Sequence, residues 1–172
     1  MDSWRHIETN KGISLQELSE HGKVMLVFLR HFGCTFCREA MADLNDRRAD
    51  IENHDTTIVL VHQVGEAYAR QILEIYGLDD LHRVSDPNLE LYHAFELERG
   101  SWRQMFGLRV WLRGFVAGIL KGHLVGPEQG DGWQMPGVFM VHRNKIIKRF
   151  KHQYASDRPD YVQLAACEIQ TS

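Results

Sequence analysis

The sequence is short of cysteine and proline, has little excess charge of either sign, and lacks long apolar runs. Three cysteines in 172 residues cannot build the disulfide framework of a small secreted domain. Four prolines, with 44% hydrophobic and 25% charged residues, exclude a collagen-like or disordered chain and leave enough apolar material for a core. Twenty Lys and Arg stand against 23 Asp and Glu, a net charge of -3, so the overall field gives nucleic acid no general attraction. From Met1 to Lys23 no apolar stretch reaches signal-peptide length, so a reducing cytoplasm is the expected location. Residues 101–123 are rich in large apolar side chains, yet Arg109 and Arg113 make a membrane span expensive there. No Gly-x-Gly-x-x-Gly or phosphate loop follows a strand, so no flavin, nicotinamide or nucleotide cofactor is expected.

What is present is an alternation of strand-like and helix-like segments. Ser14 with Glu17 three residues on has the form of a capping box opening a short helix. Val24 to Leu29 is a continuous apolar run, as expected for a strand covered on both faces. Helix formers from Arg38 to about Glu52 follow, then a second buried-type run, Thr57 to Val61. Together these predict a right-handed β-α-β unit with parallel strands. A helical stripe from Ala67 to Tyr76 stops at Gly77, Val84 to Pro87 reads as a strand end and turn, and Leu89 to Leu97 as a short helix. Val138 to Val141 and Lys145 to Phe150 predict a hairpin through His142-Arg143-Asn144, and Pro159 suits the first turn of a last helix containing Cys167.

Cys34 and Cys37 fall where a buried strand feeds a helix. Unpaired N–H groups and the helix dipole stabilise a thiolate there. Their spacing lets the second sulfur attack a mixed disulfide or sulfenic acid formed on the first. A low pKa alone accomplishes little. Lowering a thiol from ~8.5 to ~7 raises its thiolate fraction at neutral pH about 16-fold, while intrinsic nucleophilicity falls about fivefold. Fast peroxide reduction therefore needs further groups that stabilise the departing oxygen, and Arg30, His31, Arg38 and Arg149 are the cationic candidates.

The strand, Cys-x-x-Cys, helix, strand and Pro136 before the hairpin resemble the thioredoxin fold. Phe32-Gly33-Cys34-Thr35-Phe36-Cys37-Arg38-Glu39, Ser85-Asp86-Pro87-Asn88, Pro136-Gly137-Val138-Phe139 and Ala155-Ser156-Asp157-Arg158-Pro159 are similar to the peroxiredoxin-like redoxins of the alkyl hydroperoxide reductase/thiol-specific antioxidant (AhpC/TSA) group. This resemblance implies an α/β fold, a thioredoxin-like central mixed sheet flanked by helices, forming one domain over residues 1–172 with a helical insertion around 88–134 before the C-terminal hairpin. It implies a thiol-dependent oxidoreductase reducing disulfides or peroxides, supplied with electrons by an external thiol of the thioredoxin, glutaredoxin or glutathione type. Cys34 and Cys37 would be catalytic, with Thr35 and Pro136 in support, Pro136 as a cis-proline facing the dithiol. The fit is partial. Thioredoxins carry Trp before the first cysteine, Gly-Pro between the pair and a buried acid where Phe28 stands. Peroxiredoxins carry Pro and Thr or Ser where Arg30 and Cys34 stand, counted back from Cys37. The thioredoxin pattern makes Cys34 the attacking sulfur and the peroxiredoxin pattern Cys37; the helix-terminus argument favours Cys34.

Two other readings use the same residues. Cys34, Cys37 and His31 could contribute to a zinc site, but the sequence offers no second Cys-x-x-Cys. Alternatively the fold is an interaction module whose apolar segment 102–120 binds a partner or a second copy as a homodimer.

Overall fold

The computed structural model describes residues 3–101 and 130–169. The expected partner or dimer segment 102–120, and most of the expected insertion, lie outside the described residues.

Strands β1 (Lys23–Phe28), β2 (Thr56–His62), β3 (His82–Ser85), β4 (Gly137–His142) and β5 (Lys145–Lys151) form one mixed sheet in the order β3-β2-β1-β4-β5. β1 pairs parallel with β2 and antiparallel with β4, as the β-α-β unit and the terminal hairpin predict. Helix α1 (Leu15–His21) precedes β1, α2 (Thr35–Glu52) connects β1 to β2, and α3 (Glu66–Ile75) connects β2 to β3. Short helices α4 (Glu90–Ala94) and α5 (Tyr161–Ala165) follow β3 and β5.

Every residue of β1 is buried, and the period of two sorts its side chains into two cores. Met25 and Val27 join Met41 and Leu44 of α2, Leu73 of α3 and Leu164 of α5. Val24, Leu26 and Phe28 face Trp4, Tyr92, Phe95 and Phe139. Phe28 stands 5.0 Å from Tyr92, 5.2 Å from Phe95 and 5.6 Å from Phe139 between ring centroids. An acid at this position would lie in an aromatic box with no polar partner, so Phe28 belongs to the core chemistry. β5 closes one edge, and its exposed Lys145, Lys148 and Arg149 discourage further strand pairing.

Local chemistry explains the boundaries. Ser14 caps α1 by accepting from the Glu17 N–H. Gly77, with φ of +66°, turns the chain after α3. Arg143 and Asn144 both have positive φ, the two-residue turn that suits the twist of a hairpin. Two expectations are corrected. Pro159 precedes the N-cap Asp160 of α5 rather than occupying its first turn, because Asp160 caps by accepting from the Gln163 N–H. Cys167 lies beyond α5 and is half-buried, packed against the core.

Candidate active site

Cys34 is the N-cap of α2, Thr35 is its first residue, and Cys37 lies one turn in. Both sulfurs belong to buried residues, 7% and 4% exposed, so Cys34 is only marginally nearer solvent. They share a cleft walled by Leu29, Phe36, Pro136 and Val138. Thr35 is buried but does not line the cleft, and the cleft lining instead includes Pro136. The peptide bond before Pro136 is not cis: no cis bond occurs among the described residues. Proline accepts either isomer at a difference of about 0.5–1 kcal/mol, so the surroundings decide, and here the chain enters β4 extended.

The environment divides the two thiols. Cys34 is pulled down to about 6, chiefly because the Cys37 thiol donates toward its sulfur; burial acts the other way, and the Arg30 guanidinium and the N–H groups of Phe36 and Cys37 assist. Those two N–H groups act on the sulfur without a formal capping hydrogen bond. Cys37 is pushed well above the usual thiol range by donating to Cys34 and by burial, against which the Arg30 and His31 backbone N–H groups work. The reduced pair is thus one thiolate and one thiol.

Of the four cations singled out in the sequence, Arg30 reaches the sulfur. Its Nη1 donates to Cys34 Sγ at 3.4 Å, its backbone N–H to Cys37 Sγ at 3.3 Å, and its Nε to the Gly132 carbonyl at 2.6 Å. Arg38 donates to the Phe32 carbonyl, Arg149 lies on exposed β5 near Glu96, and His31 is buried beside the cysteines.

The sequence reading missed the frame that holds Arg30. Gln63 Nε2 donates to the Arg30 carbonyl, and its Oε1 accepts from the Asp131 N–H at 2.5 Å. The approach is close: a Cβ on Gly130, whose φ is +97°, would come within 2.9 Å of Gln63 Oε1. One residue earlier, the Leu29 carbonyl accepts from the Tyr92 hydroxyl. Tyr92 is itself held by α4, whose first N–H groups are collected by the Asp86 carboxylate at 2.8 to 3.2 Å. The Ser85-Asp86-Pro87-Asn88 motif therefore supports the chain just before Arg30. On the opposite wall Arg158 pairs with Asp43 and lies 3.7 Å from Glu39, tying the Ala155–Pro159 segment to α2. No signal in one sequence singles out Gln63 or Gly130, because their partners are 33 to 68 positions away.

Among the described residues no group of three or more His, Cys, Asp or Glu side chains forms a metal-ligand set. Nor, among them, is any helix long and apolar enough to cross a membrane.

The model of the AhpC/TSA antioxidant enzyme family matches residues 48–156, a stretch that begins after both cysteines. A curated relative, "Thioredoxin-like protein AAED1, chloroplastic" of Arabidopsis thaliana, is 24% identical over 164 residues, covering 90% of this chain; the chain spans 66% of that relative's length. The bacterioferritin comigratory protein of Xanthomonas campestris superposes with a TM-score of 0.60 at 10% identity, covering 87% of this chain and 82% of the other. Peroxidoxin BcpB of Mycobacterium tuberculosis gives 0.56 at 16% identity, covering 92% and 86%. AhpC of Mycobacterium bovis gives 0.56 at 17%, covering 89% and 72%. These likenesses establish a thioredoxin-like fold of the peroxiredoxin kind, and with the family match over 48–156 the chain belongs to the AhpC/TSA antioxidant enzyme family.

Proposed function

We propose that the protein is a thiol-dependent peroxide reductase in which Cys34 attacks and Cys37 resolves. The observation that carries this reading is the Arg30 guanidinium 3.4 Å from the Cys34 sulfur, in a cleft shared with Cys37. A thiolate, a cation able to follow charge onto a departing oxygen, and a neighbouring thiol are the parts such a reaction uses.

The Cys34 thiolate attacks the terminal oxygen of a hydroperoxide. An S–O bond forms, the O–O bond breaks, and the departing oxygen leaves as an alkoxide or hydroxide beside Arg30 and takes up a proton. Cys34 is then a sulfenic acid. The Cys37 sulfur attacks Cys34, an S–S bond forms, the S–O bond breaks, and water leaves with the Cys37 proton. An external thiol reductant of the thioredoxin, glutaredoxin or glutathione type returns two electrons and two protons. Disulfide substrates would enter at the same sulfur, without the need for a donor to oxygen; Arg30 therefore favours the peroxide reading. Thr35 serves by opening α2, and Pro136 by walling the cleft in its trans form.

We take residues 1–172 as one domain, with 88–134 inserted between β3 and β4, because strands from both sides of the insertion pair in one sheet. A free dithiol suits a reducing compartment, cytoplasm or, as in the Arabidopsis relative's name, chloroplast.

The test is to expose the reduced protein to hydrogen peroxide and map the products by mass spectrometry. A Cys34–Cys37 disulfide is expected in the parent, a sulfenic acid on Cys34 in Cys37→Ser, and no reaction in Cys34→Ser. Undiminished peroxide consumption by Cys34→Ser, or no disulfide in the parent, would overturn the reading.

A further inference from the structure

The mechanism above leaves a half-buried titratable group of the cleft unused. His152 follows β5 and lines the cleft together with Cys34, Cys37, Arg30 and Pro136. Its ring stands edge-on to Phe150, with centroids 5.1 Å apart at 90°. The next turn is fixed by Asp157, whose Oδ2 accepts the N–H groups of Gln153 at 2.8 Å and Tyr154 at 2.9 Å.

Its Nδ1 is shut off from solvent and has no hydrogen-bond partner. Leaving a buried polar nitrogen bare is destabilising, and a phenylalanine would fill the place without that cost. Burial keeps the ring neutral, with a pKa near 4 despite the nearby Asp157 carboxylate and the backbone of Pro136 and Asp157. A neutral imidazole has one N–H and one lone-pair nitrogen. The backbone groups of Pro136 and Asp157 interact with the ring, and Nδ1 is the ring nitrogen left without a hydrogen-bond partner.

Three polar groups of the cleft are already engaged. The Cys37 proton points to Cys34, Arg30 donates to Cys34 and Gly132, and Asp43 is paired with Arg158. Unlike a disulfide or an alkylating agent, a hydroperoxide carries an O–H on the oxygen that is attacked, and that O–H needs an acceptor. We propose that His152 binds the peroxide, its unpartnered Nδ1 accepting the O–H of the attacked oxygen while Arg30 donates to the departing one. No covalent change occurs at the ring. The assignment rests on the peroxide-reductase reading, and it names a residue that distinguishes hydroperoxides from alkylating agents and disulfides at the same sulfur.

The test compares two reagents on one thiolate. Second-order rates of Cys34 with hydrogen peroxide and with iodoacetamide, which has no O–H, are measured for the parent, His152→Phe and His152→Gln. One neutral hydrogen bond is worth about 0.5–1.5 kcal/mol, so His152→Phe is expected to slow the peroxide reaction about three- to tenfold and leave alkylation within twofold. His152→Gln, which retains an acceptor oxygen, recovers part of the peroxide rate and covers the case in which the Phe variant fails to fold. Equal slowing with both reagents, an unchanged peroxide rate in folded His152→Phe, or a peroxide rate in folded His152→Gln down by tenfold or more, would overturn the role of His152 and leave the peroxide-reductase reading intact. A parent protein inert to peroxide but alkylated normally would defeat both.

Discussion

Replacing Arg30 with methionine keeps most of the apolar stem and removes the guanidinium that stands 3.4 Å from Cys34 Sγ. At an effective dielectric of ~20, opposite unit charges about 4 Å apart attract by about 4 kcal/mol, an upper bound for a delocalised cation that also serves the Gly132 carbonyl. Opposite charges at such range ordinarily shift a pKa by about 1–3 units, each unit being about 1.4 kcal/mol. Arg30→Met should therefore raise the Cys34 inflection from about 6 to about 7 or higher. The Cys37 thiol is the larger influence on Cys34, so Cys37→Ala should raise the inflection further than Arg30→Met does. Thiolate ultraviolet absorbance and iodoacetamide alkylation, each followed against pH, read this directly. A rate at neutral pH alone would mislead. A one-unit rise about halves the thiolate fraction, while each remaining thiolate becomes about threefold more nucleophilic, so alkylation changes by less than about twofold. The peroxide rate has no such compensation and should fall by about 10²-fold, because the donor to the departing oxygen is gone. An unmoved inflection in Arg30→Met, or equal effects on peroxide and alkylation rates, would refute the assignment of Arg30.

Two further outcomes test the frame around the site. His62 is 1% exposed, and burial lowers it to about 4. Its folded pKa lies below the unfolded value of ~6.5, so the unfolded chain binds the extra proton between these limits; the stability is fully present above pH ~6.5 and is lost as pH falls toward 4. That loss is on the order of 3 kcal/mol, and urea unfolding of His62→Gln at pH ~7 and ~4.5 should show an acid loss smaller than the parent's by about 2 kcal/mol; equal losses would contradict it. Gly130→Ala combines a φ of +97° with a Cβ 2.9 Å from Gln63 Oε1. It should lower stability by about 1–3 kcal/mol and, by loosening Gln63 from the Arg30 carbonyl, raise the Cys34 inflection. A thermal midpoint and a thiol pH profile both matching the parent would remove Gln63 from the account of the site.

Local signals carried the secondary structure and the dithiol. The apolar run Val24 to Leu29 reads as a strand covered on both faces, and the helix formers from Arg38 to about Glu52 predict a crossover before the next run. That logic brought Cys34 and Cys37 to a helix mouth before any contact was known. Capping by Ser14, the stop at Gly77 and the turn at Arg143-Asn144 were equally local, since each depends on backbone geometry within a few residues.

The sequence by itself determined the mixed sheet, the two buried faces of β1 and the placing of two sulfurs at the start of α2, because periodicity, caps and spacing act over neighbouring residues. Tertiary structure alone decided which cation meets the thiolate and that the bond before Pro136 is trans. Those outcomes depend on groups far apart in the chain, Arg30 with Gly132 and Gln63 with Asp131. Electrostatic energies vary with distances of a few ångströms and with solvent access, and neither quantity exists until the chain has folded.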